Sequence, residues 1–297
     1  MSNPFVAKPK SVNDPNLLPF RFALKAYINE EKLRIPVLPD IVAQVMQLIN
    51  NPSVNANTLA RLIHKDQALA GYVLRVSNSP MYAGTKEILT LRQAIARIGA
   101  RTLGKIALSI TMRGEVFKAD GYEDVMSKIW RQSLASGALA QEIGKVVQFN
   151  SETLYLCGLL HTVGKPVILQ ALDILKGELK LELSHEGGLA LIEEFHQDVG
   201  GRVAEQWKLP DAVKTAALHY HDPSVVEQNL KEVLITYSAH QLSALIDADP
   251  EEQSEEQAIV QFLSDPHFQS IGLDQKGLEL LMSRLEKIKE LLDAMNM

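Results

Sequence analysis

Cysteine is almost absent: Cys157 is the only one in 297 residues. No intramolecular disulfide can form and no cysteine-built zinc cluster can be assembled from one chain, which fits a reducing compartment. Long apolar runs are missing too, since nowhere do 18 uncharged apolar residues follow one another, so no conventional membrane-spanning helix is expected. The opening MSNPFVAKPKSVNDPNLLPF carries four prolines and no continuous apolar stretch of signal-peptide type. Residues 1–20 are therefore read as a flexible tail and the protein as cytoplasmic. Net positive charge is lacking as well: the formal charge is −6, which works against phosphate backbones and anionic lipid. No interleaving of basic and aromatic residues offsets it, so nucleic acid ranks last among partners. Glycine (17) and proline (13) are too few for low complexity, while 46% apolar and 22% charged residues suit an ordinary globular chain.

Strand-type alternation is absent, and nearly every periodic segment has the period of a helix. In IVAQVMQLIN, Ile41, Val42, Val45, Leu48 and Ile49 form one stripe, which Asn51-Pro52 ends. Asp66 is placed to cap a helix bearing Leu69, Val73 and Val76, closed by Asn78-Ser79-Pro80. Thr90-Leu91-Arg92-Gln93 reads as a capping box, with Gly99 as the C-cap. From Lys128 to Phe149 the small residues Ser133, Ser136 and Gly137 predict a helix that others approach closely. The next segment, with Leu154, Leu156, Cys157, Leu159, Leu160 and Val163, has almost no polar face and belongs in the interior. KPVILQALDIL, LALIEEFHQDVGGRVAEQW, DAVKTAALHYH and KEVLITYSAHQLSALI continue the series, followed by the acidic, solvated stretch DPEEQSEE. Leu278, Leu281, Leu285, Ile288, Leu292 and Met295 repeat with 3-4-3-4-3 spacing. Over so few heptads this reads as a terminal amphipathic helix covering its own core, with homodimerisation as the minority alternative.

Chemistry concentrates in four of the eight histidines: His161 in GLLHTVGK, His196 in EEFHQDVGG, and His219 and His221 in LHYHDP. Imidazoles on different helices of an all-α core could surround a metal ion, although each alone is more often a hydrogen-bonded core residue. His219 and His221 are two apart, about 200° around a helix, so at most one can face a common centre. Lys165 projects from a helix terminus and reads as a solvated charge. Arg97, Arg101 and Lys105 are spaced four apart and could make a basic stripe for phosphate or a partner, unless Gly99 and Gly104 break the helix.

Several segments in order, RIPVLPDIVAQVMQLINNPSV, LARLIHKDQALAGYVLRVSNSPMY, LRQAIARIGARTLGKIAL, IWRQSL, GLLHTVGK, FHQDVGGRVAEQWKLP and HYHDP, give the chain a resemblance to the HDOD proteins over residues 30–223. These are relatives of the HD-domain metal-dependent phosphohydrolases. The resemblance implies an all-α fold with an N-terminal helical part (21–125), an HD-like part (126–223) and a C-terminal extension (224–297). It also implies where metal ligands would stand. Gln132 occupies the place of a frequent His, and His161 matches the His of the His-Asp pair, with Thr162 where the Asp belongs. His196 matches a His of the following helix. A His-His pair aligns with Tyr220-His221, leaving His219 one place early. The last Asp would fall near residues 236–239, which offer Thr, Tyr and Ser. Carboxylates offset the charge of a divalent ion and leave room for bound water to ionise; an amide and a hydroxyl do not.

The expectation is a vestigial HD site with no catalytic residue, no metal and no cofactor. The family implies bacterial signal transduction, so a non-catalytic regulatory module that binds a signalling protein is the leading reading. A sensor of nucleotides or other small phosphate compounds, or a phosphohydrolase with an atypical site, are the alternatives.

Overall fold

A computed structural model describes residues 14–30, 32–38, 40–49, 56–82, 84, 86–116, 122–247 and 255–295. Among these residues every regular element is helical. The N-terminal set comprises α1 (Leu17–Asn29), α2 (Asp40–Ile49), α3 (Ala56–His64), α4 (Gln67–Ser77), α5 (Leu91–Ile98) and α6 (Ala100–Glu115). Asp66 accepts from the amide of Leu69 at 3.0 Å, and Thr90 and Gln93 form both halves of the expected capping box. Gly99, at φ +83°, ends α5 and opens α6; this is backbone that glycine adopts without strain. Asn78 ends α4 and ties it to the next loop, its side chain holding both the amide and the carbonyl of Ile88. Leu48 and Ile49 side chains, the Asn51-Pro52 stop and most of the acidic stretch lie outside the described residues.

The second set is built on the long α7 (Glu123–Val146), against which α8 (Leu154–Leu160) packs. Small residues make that approach close. A Cβ on Gly158 would stand 2.4 Å from the carbonyl oxygen of Ser136, and one on Gly137 would stand 3.2 Å from that of Tyr155. α9 (Gly164–Leu179) and α10 (His185–Gln206) pack together, and α11 (Asp211–His219) lies against α10 and α8. α12 (Leu230–Ser243) covers α7 and α8, so it belongs to the HD-like bundle although it follows residue 223. After α13 (Glu255–Ser264) and α14 (Pro266–Ser270), α15 (Gln275–Met295) runs over α7 and α4 and joins the two sets.

Two sequence boundaries shift. Helix α1 begins at Leu17, inside the expected tail, because Phe20 and Leu24 are fully buried. It packs on α9 and α10 rather than with α2–α6, held by Arg21–Glu194 at 2.8 Å and by Asn16 donating to the carbonyl of Glu182 at 2.7 Å. The 3-4 stripe of α15 faces inward: Leu278, Leu281, Ile288 and Leu292 are at most 1% exposed and Leu285 is half-buried. Arg131 on α7 fastens this helix by bridging Asp293 and Asp247 at 2.8 and 2.7 Å.

Gly158→Ala should therefore lose about 2–4 kcal/mol of stability through overpacking at α7. Gly177→Ala, on α9 with no atom within 4 Å of the added Cβ, should gain about 0.5–1 kcal/mol. Urea denaturation of the two variants beside the parent measures both signs.

Candidate functional site

Helix α8 is apolar on all sides and fully buried, so the residue that ends it, His161, is delivered to the interior. The chain then turns through Thr162 and Val163 into α9 at Gly164. A Cβ there would lie 2.0 Å from the carbonyl oxygen of His196 and 2.7 Å from the amide of Gly200. This glycine therefore lets the α8–α9 corner rest on the backbone of α10, setting His161 beside His196. Tyr220 and His221 enter from the end of α11, and His240 from α12. The rings of His161 and Tyr220 are 4.5 Å apart, those of His161 and His240 5.0 Å, and those of His196 and His221 5.3 Å.

The hydrogen bonds define the tautomers, because a carbonyl can only accept. His161 Nδ1–H donates to the carbonyl of Gly158 at 2.7 Å, leaving Nε2 as an acceptor, and it accepts from His240 Nδ1–H at 2.9 Å. His196 Nδ1–H is shared between the carbonyls of Ile192 and Glu193 at 3.1 and 3.2 Å. Its Nε2 accepts from the hydroxyl of the fully buried Tyr220 at 2.8 Å. At the edge of the cluster Lys165 donates to Glu193 at 2.6 Å, and their side chains are 9% and 42% exposed. Thr162 and Ser133 share a hydrogen bond of 2.7 Å.

Burial holds the imidazoles neutral. It lowers His161 from 6.5 to about 3 and pushes His196, His221 and His240 downward, with the Lys165 charge acting in the same direction. The 3.9 Å approach of Glu193 to His196 Nδ1 is therefore a contact with a neutral ring, whose proton points to backbone carbonyls.

The structure thus gathers His161, His196 and His221 of the sequence candidates. His219, half-buried at the end of α11, makes none of the ring contacts, and Gln132 is half-buried on α7 beside the Ser133 that binds Thr162. Three participants were missed: His240, Lys165 and Glu193. His240 follows directly on the 236–239 stretch searched for an Asp; it shares a helical stripe with the buried Val233 and Thr236, and that spacing was the signal for it. Lys165 is not a solvated charge but a buried cation paired to Glu193 across 28 residues of sequence. The basic stripe does not form, because Gly99 separates Arg97 on α5 from Arg101 and Lys105 on α6. Arg97 binds the carbonyl of Lys86, Arg101 pairs with Glu152, and Lys105 lies over the Tyr155 ring at 5.4 Å, with burial lowering its pKa to about 8.

Nδ1–H bonds to main-chain carbonyls are how a protein orients ligating histidines, and Glu193, His196 and His221 bring ligand atoms within 4.8 Å of one another. The donor set still does not fit a hydrolytic divalent centre. The inward Nε2 atoms of His161 and His196 already accept hydrogen bonds from His240 and Tyr220. At the place where the resemblance puts an Asp, Thr162 offers a hydroxyl bonded to Ser133. The one carboxylate at hand is neutralised by Lys165, a cation that would also repel the ion.

Fold and inward-facing histidines define an all-α domain of the HD-related class. The HDOD domain pattern matches residues 35–223, and the chain belongs to the HDOD family. An uncharacterised protein of Treponema pallidum (strain Nichols) is 28% identical over 203 residues, which is 65% of this chain and 39% of that relative's length. An HDOD domain protein of unknown function from Geobacter sulfurreducens superimposes with a TM-score of 0.71 at 23% identity, over 94% of this chain and 99% of that one. A protein from Shewanella amazonensis, provisionally named a metal-dependent phosphohydrolase, gives 0.69 at 20% identity, over 94% and 100%. At these identities the two superpositions speak for the fold alone. Among the described residues no helix is long and apolar enough to cross a membrane.

Two outcomes follow from the cluster. A depressed histidine pKa means that the unfolded chain binds more protons below pH 6.5. Stability is therefore complete above that value and declines as pH falls from 6.5 toward 3, by up to about 1.4 kcal/mol per pH unit for each buried ring. Urea titrations at stepped pH should show this slope, and His240→Gln should flatten it. Tyr220→Phe leaves His196 Nε2 buried without a donor and should lose about 1–3 kcal/mol at pH 7.5 by the same measurement.

Proposed function

We propose that this HDOD protein is a non-catalytic regulatory module that works by binding a signalling protein. The observation that carries the reading is that both nitrogens of His161 and of His196 are already hydrogen-bonded, their Nε2 atoms to His240 and Tyr220, and that a threonine stands where the family resemblance puts a carboxylate. Metal-dependent hydrolysis needs an anionic ligand set that lowers the pKa of bound water, and neutral imidazoles beside a buried Lys165 offer the opposite field. What remains is a rigid helical platform whose use is recognition. A structural relative from Marinobacter aquaeolei, provisionally called a signal transduction protein, shares the fold over 97% of this chain and 68% of its own, with a TM-score of 0.65 at 20% identity. This agrees with the reading at the level of fold only.

Affinity capture with the full chain in lysate of its native cell, with bound proteins identified by mass spectrometry, should return a signalling protein reproducibly. In parallel, p-nitrophenyl phosphate with added Mn²⁺ should show no turnover above buffer. Turnover that vanishes in His161→Ala, or repeated capture of no protein at all, would overturn the reading.

A further inference from the structure

The N-terminal part carries a second feature, lined by none of the cluster residues: a cleft of about 500 Å³ between α3 and the first turn of α5. Its floor is apolar, made of Ala56 and Ala60 on α3 and of Leu91 and Ile95 on α5, with Leu91 buried. The exposed Arg61, His64 and Arg92 also line it, and no carboxylate does. Spacing explains the division. Ala56, Ala60 and His64 recur every four residues on α3 with Arg61 beside them, while Leu91 and Ile95 do so on α5 with Arg92 beside them.

Four arginines elsewhere have acidic partners, while Arg97 and Arg113 bind main-chain carbonyls. Arg21 faces Glu194, Arg101 faces Glu152, Arg131 faces Asp247 and Asp293, and Arg284 faces Glu142. Among the described residues Arg61, His64 and Arg92 form no ion pair; Arg61 makes only a 3.3 Å hydrogen bond to the Thr58 hydroxyl. The capping box uses the amides of Gln93 and Thr90, and those of Leu91 and Arg92 at the cleft take no part in it. On a chain of net charge −6, this is a local cationic site on an apolar base.

We propose that this cleft binds a small phosphate-bearing molecule with an apolar or aromatic body, the chemical class to which nucleotides belong. Guanidinium forks match phosphate oxygens two at a time and stack on aromatic faces, and an imidazole adds a further donor. The volume falls in the range of small-ligand pockets. A protein interface engages about 20–30 residues a side, far more than line this cleft. The site is independent of the scaffold reading, and failure here would leave partner capture untouched.

Isothermal titration with the four ribonucleoside 5′-monophosphates and with inorganic phosphate tests the proposal. At least one nucleotide should bind, more tightly than inorganic phosphate, and shift backbone amide NMR signals of α3 and α5. Affinity should fall about tenfold or more in the Arg61→Gln/Arg92→Gln variant, whose altered side chains are both exposed. The Lys25→Gln/Lys128→Gln variant, with the same charge removed from exposed positions outside the cleft, should keep its affinity. Absence of binding by every nucleotide, equal loss in both variants, inorganic phosphate binding as tightly as the best nucleotide, or shifts confined to other helices would each overturn it.

Discussion

Desolvation of imidazole is the constraint on which the centre of this protein depends. A ring cut off from water must stay neutral, and each of its nitrogens must find a partner of the right polarity. For His161 and His196 the chain meets this with three backbone carbonyl acceptors, one histidine–histidine bond and one tyrosine hydroxyl. Lys165, buried nearby, reinforces the neutral state and is itself tolerated only because Glu193 reaches it. His161 and His196 are held through both ring nitrogens.

Close packing delivers these groups. Glycines at 158 and 164 let α8 sink against α7 and let the following corner touch the backbone of α10. The first contact buries the whole of α8, and the second sets the spacing between His161 and His196. The same geometry keeps water away from the rings, so packing and electrostatics are one arrangement seen from two sides. Helix α15 then locks the two helical sets together, its apolar stripe turned inward and Arg131 holding Asp293.

Charge is distributed differently in the two halves. Around the histidines the buried Lys165 is neutralised by Glu193, and His161 and His196 are hydrogen-bonded through both nitrogens. In the cleft between α3 and α5 the cations face solvent over an apolar floor.

Helix periods, the Asp66 cap, the Thr90–Gln93 box, the Gly99 break and the ordered HDOD motifs were legible from the residues, because each is decided within about one or two helical turns by local hydrogen bonding, backbone preference or apolar spacing. Thr162, at the place where the HDOD resemblance puts an Asp, was legible for the same reason, as a residue type at a motif position. His240, the Lys165–Glu193 pair and the placement of α1 on α9 and α10 were not, since they join residues 79, 28 and more than 130 positions apart. The regrouping of arginines, with Arg97 and Arg101 parted at Gly99 while Arg61 and Arg92 come to one cleft, likewise awaited the packing of α3 on α5. Local chemistry chose the helices; only the folded chain, by bringing distant side chains within hydrogen-bonding range, decided which residues meet around the histidines.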